Sequence, residues 1–109
     1  MLKKSERLSR LQISELLKKG RRFPGALFDI RHLPSPTFRV AVVVSKKVSP
    51  LAVRRHLLKR RALSAIRIQK SSIGGTHLLC VLKKTTDVPS TADYTEAFRM
   101  FAQKGLESV

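Results

Sequence analysis

The chain has 109 residues, of which 23 are lysine or arginine and 7 are aspartate or glutamate, so its formal net charge is +16. This length accommodates one domain with a modest core. The hydrophobic content of 42% excludes a disordered basic tail, because such tails lack the apolar surface that offsets chain entropy. A folded domain with so large an excess of cations predicts a polyanionic partner, first of all RNA or DNA, because phosphate neutralisation releases counterions.

The first predicted elements are a helix and two strands. A helix is expected over residues 5–19, because apolar residues recur there at helical spacing and Gly20 follows as a stop. There is room for a short strand near residues 21–23. Residues 27–33 and 38–45 are predicted as strands, and the second is apolar on both faces, which is typical of a strand that is central or covered by helices.

A long basic helix is predicted next, with Ser49 as its N-cap and Pro50 at its first helical position. On a helical wheel the apolar residues share one stripe, which should face the core. These residues are Leu51, Leu58, Ala62, Ala65 and Ile66. Cations occupy most of the remaining arc, and no aspartate or glutamate occurs between Asp29 and Asp87 to neutralise them.

The last third of the chain is predicted to hold a loop over residues 70–76, a buried strand over residues 77–82 and a helix over residues 92–104. Cys80, the only cysteine of the sequence, lies in the apolar run HLLCVL. A buried core thiol is therefore expected, while a disulfide within the chain and a cysteine-based zinc site are excluded. The predicted order is α, β, β, α, β, α in a single domain over residues 1–109.

Membrane and catalytic roles find little support in the residues. The N-terminal segment MLKKSERLSRLQ has no continuous apolar run, and no stretch approaches the roughly 18 apolar residues of a membrane span. A soluble, cytoplasmic protein with no membrane partner is therefore expected. The three histidines are isolated, without metal-ligand spacing, and no close carboxylate pair lies in apolar sequence. No catalytic residue and no metal site is predicted on this chain.

The basic helix is compatible with several functions. A charged face is often only solvated, and a basic amphipathic helix can also lie on a membrane or in a partner's groove. Nucleic acid is favoured, because solvated faces normally mix both signs and a membrane helix would carry larger apolar groups than Leu and Ala. The few aromatic residues, five Phe and one Tyr with no Trp, favour backbone contacts over stacking of bases on an aromatic platform.

A resemblance to a known family lies in the same segment. VVVSKKV followed by AVRRHLLKRRALSAIR resembles the central signature of the bacterial ribonuclease P protein subunit, which typically reads R-V-G-x-x-V-S-K-K-x-G and then A-V-x-R-N-R-x-K-R. Three departures stand out. Arg55-His56-Leu57 replaces the R-N-R core, and Ser49-Pro50 replaces the usual Gly with one extra residue. Two family Phe positions on the first helix fall on Ile13 and Leu17.

The resemblance implies an α+β fold, a single-domain two-layer α/β sandwich with a mainly antiparallel sheet and a βαβ crossover, ribosomal protein S5 domain 2-like. It also implies an accessory subunit of an endoribonuclease. The RNA subunit would cleave the 5′ leader from precursor tRNA with bound Mg²⁺, while this chain would bind no cofactor of its own. The free protein is expected to be a monomer that binds the RNA 1:1.

Two groups of site residues follow from the resemblance. The residues expected to contact RNA are Lys46, Lys47, Arg54, Arg55, His56, Lys59, Arg60, Arg61 and Arg67. The residues expected to form a cleft for the leader are Ile13, Leu17, Phe28 and Val40. The alternative is a structural RNA-binding protein of ribosomal type with no role in cleavage; a self-sufficient nuclease is disfavoured by the lack of clustered carboxylates.

Overall fold

The structure, a computed structural model, describes residues 3–85 and 87–105. A 3₁₀ turn, Lys4–Glu6, precedes the first helix. The elements are α1 (Arg10–Lys19), β1 (Arg21–Pro24), β2 (Phe28–Pro34), β3 (Arg39–Val43), α2 (Ala52–Ile73), β4 (Thr76–Leu82) and α3 (Thr91–Met100), which continues as a π-helical turn (Phe101–Gly105). The predicted α, β, β, α, β, α order is confirmed, and the short strand before β2 is present.

The strands form one sheet in the order β1-β2-β4-β3. Strands β1 and β2 pair antiparallel, as do β2 and β4, whereas β3 and β4 pair parallel and are joined through α2. The predicted α+β fold with a mainly antiparallel sheet and one βαβ crossover is therefore confirmed. Strand β3 lies at an edge rather than in the centre. Its outer edge is partly covered by the N-terminal segment, where the Leu8 N–H donates to the Val40 carbonyl at 3.4 Å.

The main core lies between the sheet and the layer formed by α2 and α3. Leu58, Ala62, Ala65 and Ile66 are all buried there, as their helical stripe predicts. Leu51 is 60% exposed, so its place in the predicted stripe is wrong, because it precedes the helix as its N-cap. The helix also runs four residues into the predicted loop and stops at Gly74, whose φ of 70° favours glycine.

The second face of the sheet is covered in part by α1. Leu79 is buried but lies outside the main core cluster, which contains its neighbours Leu78 and Cys80. Since successive side chains of a strand point to opposite faces, Leu79 faces away from α2 and α3. Leu16 of α1 is likewise buried outside that cluster, and α1 contacts both β2 and β4. Helix α1 therefore packs on the face opposite to α2 and α3.

Two smaller features of the fold are the Cys80 thiol and the caps of the shorter helices. Cys80 is fully buried, and burial raises the pKa of its thiol well above the usual range. The predicted core thiol is thus confirmed. Ser9 and Ser90 cap α1 and α3, and each hydroxyl accepts a hydrogen bond from the backbone N–H three residues later. Helix α1 therefore begins at Arg10, five residues later than the helix predicted from residue 5.

Acid should destabilise the fold through His32. Its ring is 2% exposed, lies edge-on to Phe101 at 5.0 Å between ring centroids, and its Nδ1 has no hydrogen-bond partner among the described residues. Burial, together with the charge of Arg21, lowers the pKa of His32 below its ordinary 6.5. Below that value the unfolded chain binds a proton that the folded chain does not, so the free energy of unfolding should fall as the pH falls.

Urea unfolding at about pH 7.5 and about pH 5.5, on either side of the ordinary histidine pKa, measures this loss. The variant His32→Leu should lose less stability between the two values than the parent does. His77→Gln is the comparison. Burial and the charge of Arg39 also lower the pKa of His77, but this side chain is only half-buried, so the variant should reduce the pH dependence less than His32→Leu does. An unchanged pH dependence in His32→Leu would show that other groups cause it.

Candidate nucleic-acid interface

The Lys46-Lys47 pair lies in a compact turn between β3 and α2. The Val48 N–H donates to the Ser45 carbonyl at 3.1 Å, which closes the turn. Ser49 is 4% exposed, and its hydroxyl accepts from the Leu51 N–H at 3.3 Å. Ser49 therefore stabilises the turn and does not cap the helix as predicted, since α2 begins only at Ala52. Both lysines are exposed on this turn.

The side chain of Arg55 connects α2 to the segment that follows the Lys46-Lys47 turn. Its Nη1 donates to the carbonyls of Ser49 and Pro50, each at 3.0 Å, and the residue is half-buried. A guanidinium in this position fixes the direction in which the chain enters α2. Arg55 was predicted to contact RNA, but the structure gives its side chain a positioning contact with the turn. Neither the helical wheel nor the family pattern carries a signal for this contact.

Removing the Arg55 contact should cost stability. The variant Arg55→Leu is expected to lower the free energy of unfolding by about 1–2 kcal/mol, because hydrogen bonds from charged groups to half-buried carbonyls are worth somewhat more than neutral ones. The adjacent Arg54 is exposed, so Arg54→Leu is the matched control and should change stability by about 0.5 kcal/mol or less. Equal effects of the two substitutions in urea unfolding would contradict the positioning role.

Arg61 also differs from the exposed cations. It is half-buried, and its Nη1 donates to the Pro89 carbonyl at 2.8 Å. The contact joins α2 to the segment before α3. The other residues of the helix that were predicted to contact RNA are exposed to solvent: Arg54, His56, Lys59, Arg60 and Arg67. Among the described residues, Lys70 alone of the α2 cations forms an ion pair, with Glu6 at 2.5 Å.

A groove runs between the N-terminal segment, the edge of β3 and α2, and is called the α2 groove below. It encloses about 580 Å³. Its lining consists of Arg7, Leu8, Val40, Ala41, Val42, His56, Lys59, Arg60 and Leu63. The lining is thus apolar along the floor and basic along the helix, and it includes no carboxylate of the described residues. Sequence reasoning missed Leu8 and Leu63, because only the fold brings the N-terminal segment beside α2.

The predicted leader cleft is only partly assembled. Ile13 is half-buried and Leu17 is 55% exposed, so both lie at the surface of α1. Phe28 and Val40 are each 1% exposed, and both belong to the core cluster under α2 and α3. Their assignment to the cleft is therefore wrong. Strand alternation turns both side chains away from α1, and Val40 instead contributes to the lining of the α2 groove.

The sheet residues on the α1 side are the neighbours of those core residues. They include Arg31 and Leu33 of β2, Ala41 and Val43 of β3, and Val81 of β4, all half-buried or exposed. This set, together with Ile13 and Leu17, is called the α1 face below. The alternation of β2, which puts Phe28 and Ile30 on one side, was the signal that could have identified Arg31.

Charge on this side of the sheet is mostly positive. Asp29 pairs with Lys83 at 3.2 Å and with Arg22 at 3.5 Å. Burial opposes ionisation of this carboxyl, but the two cations and the Gly25 backbone outweigh it and lower the pKa of Asp29. The carboxylate is thereby neutralised by its own neighbours. Arg31 has no acidic partner within 4.0 Å among the described residues, so it remains available to an anion.

Other kinds of site are not formed by the residues that the structure describes. Within residues 3–85 and 87–105, no three His, Cys, Asp or Glu side chains are grouped so that they could hold a metal ion. None of the helices described here is long and apolar enough to cross a bilayer.

Comparison with known proteins agrees with this architecture. The family model described as Ribonuclease P matches residues 2–105. The ribonuclease P protein component of Thermus brockianus is 36% identical over 87 residues, which cover 80% of this chain and 50% of that protein. The chain spans about half the length of the curated relatives it matches.

Solved structures share the fold. The ribonuclease P protein of Staphylococcus aureus superposes with a TM-score of 0.80 at 20% identity, covering 94% of this chain and 96% of that one. The ribonuclease P protein of Thermotoga maritima gives a TM-score of 0.65 at 23% identity, with 94% of each chain covered. With the family match over residues 2–105 and the strand–Lys-Lys–helix unit in place, the chain belongs to the ribonuclease P protein family.

Proposed function

We propose that this protein is the protein subunit of ribonuclease P, which binds the catalytic RNA and the 5′ leader of precursor tRNA and so assists 5′-end maturation of tRNA. The observation that carries the proposal is a family match over nearly the whole chain, joined to a helix whose exposed cations, Lys70 apart, form no ion pair with any described carboxylate. Counterion release on phosphate binding supplies the affinity of such a surface.

The exposed face of α2 and the Lys46-Lys47 turn would contact the RNA subunit. Exposed cations that hold no carboxylate keep their full charge for phosphate groups, whereas Arg55 and Arg61 hold backbone carbonyls. The binding surface therefore consists of the two turn lysines, four exposed cations of α2 and His56: Arg54, Lys59, Arg60 and Arg67 are the four cations. Arg55 and Arg61 would act by keeping that surface in shape.

The leader of precursor tRNA would lie on the α1 face. Leu17 and Val43 are 55% and 42% exposed and offer apolar surface to bases, while Arg31 offers a cation to a phosphate. A protein with its two RNA surfaces on opposite sides of one sheet binds two polyanions and screens their repulsion. It would raise substrate affinity and lower the magnesium requirement without touching the scissile bond.

The chemistry is assigned to the RNA subunit with its bound Mg²⁺. The residues of this chain would bind and orient RNA, in the cytoplasm and as one protein per RNA. These assignments follow the family resemblance, and the basic surfaces described above are compatible with them.

Cleavage at low magnesium tests the proposal. Purified protein is added to a cognate bacterial ribonuclease P RNA, and cleavage of precursor tRNA is followed over time. The protein should raise the rate at magnesium concentrations where the RNA alone is slow. Absence of stimulation with a cognate RNA would overturn the assignment and leave a structural RNA-binding role.

The α1 face can be tested through Arg31. The variant Arg31→Gln should weaken binding of precursor tRNA to the assembled enzyme about fourfold at about 0.15 M salt, which is the counterion contribution of one phosphate contact on a single strand. Mature tRNA, which lacks the leader, is the control and should bind both enzymes equally. A loss that is the same for precursor and mature tRNA would place Arg31 outside the leader path.

A further inference from the structure

The lining of the α2 groove differs from that of a surface that contacts only phosphates. Phosphate contacts need exposed cations, yet this groove also has an apolar floor formed by Leu8, Val42 and Leu63. Duplex RNA that lay across α2 would present its backbone and leave that floor in contact with water. A floor of this kind favours a ligand that has an apolar, flat part beside its charge.

The size and the order of the lining match one nucleotide. A volume of about 580 Å³ is in the range of small-molecule sites, which are mostly apolar with a few placed polar groups. Lys59 and Arg60 lie on the helix side of the groove, within the exposed row of cations. A phosphate held there would place the attached base over Leu8 and Leu63.

His56 supplies the flat surface that such a base requires. It is exposed and lines the groove one helical turn before Arg60. Unpaired bases in protein complexes stack on aromatic rings, histidine included. The family pattern has Asn at this position, so the imidazole is a feature of this chain. The scarcity of Phe and Tyr in the sequence therefore does not exclude stacking at this one place.

We infer that the α2 groove binds a single unpaired nucleotide of the partner RNA, with the base between His56 and the apolar floor and the phosphate on Lys59 and Arg60. The inference rests on the proposed function in taking RNA as the partner, but it does not require cleavage. It adds a base-contacting site to a surface otherwise expected to contact phosphates only.

Two short oligonucleotides with equal charge, called the adenylate strand and the abasic strand, test the inference. One is an adenylate RNA of about eight nucleotides, and the other has the same backbone and number of phosphates without bases. The protein should bind the adenylate strand about 5- to 150-fold more tightly, the range for stacking of one base. His56→Ala should abolish most of this preference, and His56→Phe, which restores a flat ring, should keep it.

Two control variants assign the preference to this groove. Lys59→Gln should weaken binding of both oligonucleotides by the same factor, so the preference for the adenylate strand should stay unchanged. Ile68→Ala alters an exposed apolar residue of α2 outside the groove and should also leave it unchanged. A preference that survives His56→Ala, or one that Ile68→Ala removes, would overturn the inference. Cleavage assays fail or succeed independently of these outcomes, because both strands lack a tRNA.

Discussion

Replacement of Lys59 and Arg60 by glutamine is expected to weaken binding to ribonuclease P RNA about 30-fold at about 0.15 M salt. Each phosphate contact releases close to one counterion, so the loss of two contacts should also lower the slope of log affinity against log salt by about 2. Both residues are exposed on α2, so the stability of the free protein should change little. Filter binding or fluorescence titration over a salt series measures both quantities.

The matched control is the pair Lys18→Gln and Lys19→Gln. These adjacent lysines are exposed at the end of α1, on the opposite side of the sheet, and their replacement removes the same net charge. The control variant should keep most of the affinity for the RNA subunit. If both double variants lose affinity equally, net charge rather than the α2 surface governs binding.

Replacement of Phe98 by alanine is expected to lower the free energy of unfolding by about 3–5 kcal/mol, the usual cost of removing a buried aromatic ring. Phe98 is fully buried and stacks on Phe28 with ring centroids 4.3 Å apart and planes at 21°. It thereby joins α3 to the sheet. Urea unfolding, read by circular dichroism, gives the difference.

Met100 provides the comparison within the same helix. It is 42% exposed, so Met100→Ala should cost about 0.5 kcal/mol or less. A loss below about 1 kcal/mol for Phe98→Ala would mean that α3 is not part of the cooperative core, because buried aromatic truncations cost several times that amount.

Local patterns in the sequence were sufficient for most of the fold. The helical stripe through Leu58, Ala62 and Ile66 identified the buried face of α2, because a periodic pattern reports directly on burial. The start of the same helix was misplaced by the Ser-Pro pair. Ser49 can hydrogen-bond a backbone N–H in a turn as well as at a cap, and such local bonds compete with each other.

The site was harder to predict, because it depends on contacts between distant segments. Arg61 appears on a helical wheel as an exposed cation, but its acceptor is the Pro89 carbonyl, 28 residues further along the chain. The family resemblance places Phe28 in the leader cleft, and no local pattern corrects it, because nothing local tells which helix covers which face of a strand. That choice is made by α3, whose Phe98 stacks on Phe28.

The strict alternation along β2 and β3 has a consequence for how this protein can change over evolution. Phe28 and Ile30 belong to the core, while Arg31 and Val43 belong to the α1 face. If the α1 face binds the leader as proposed, substitutions on it alter RNA preference while the core packing stays intact. Insertion or deletion of a single residue in either strand would exchange the two sets, since a shift by one turns every side chain over. The fold should therefore tolerate substitutions in β2 and β3 on the α1 face. It should not tolerate a change in the length of either strand.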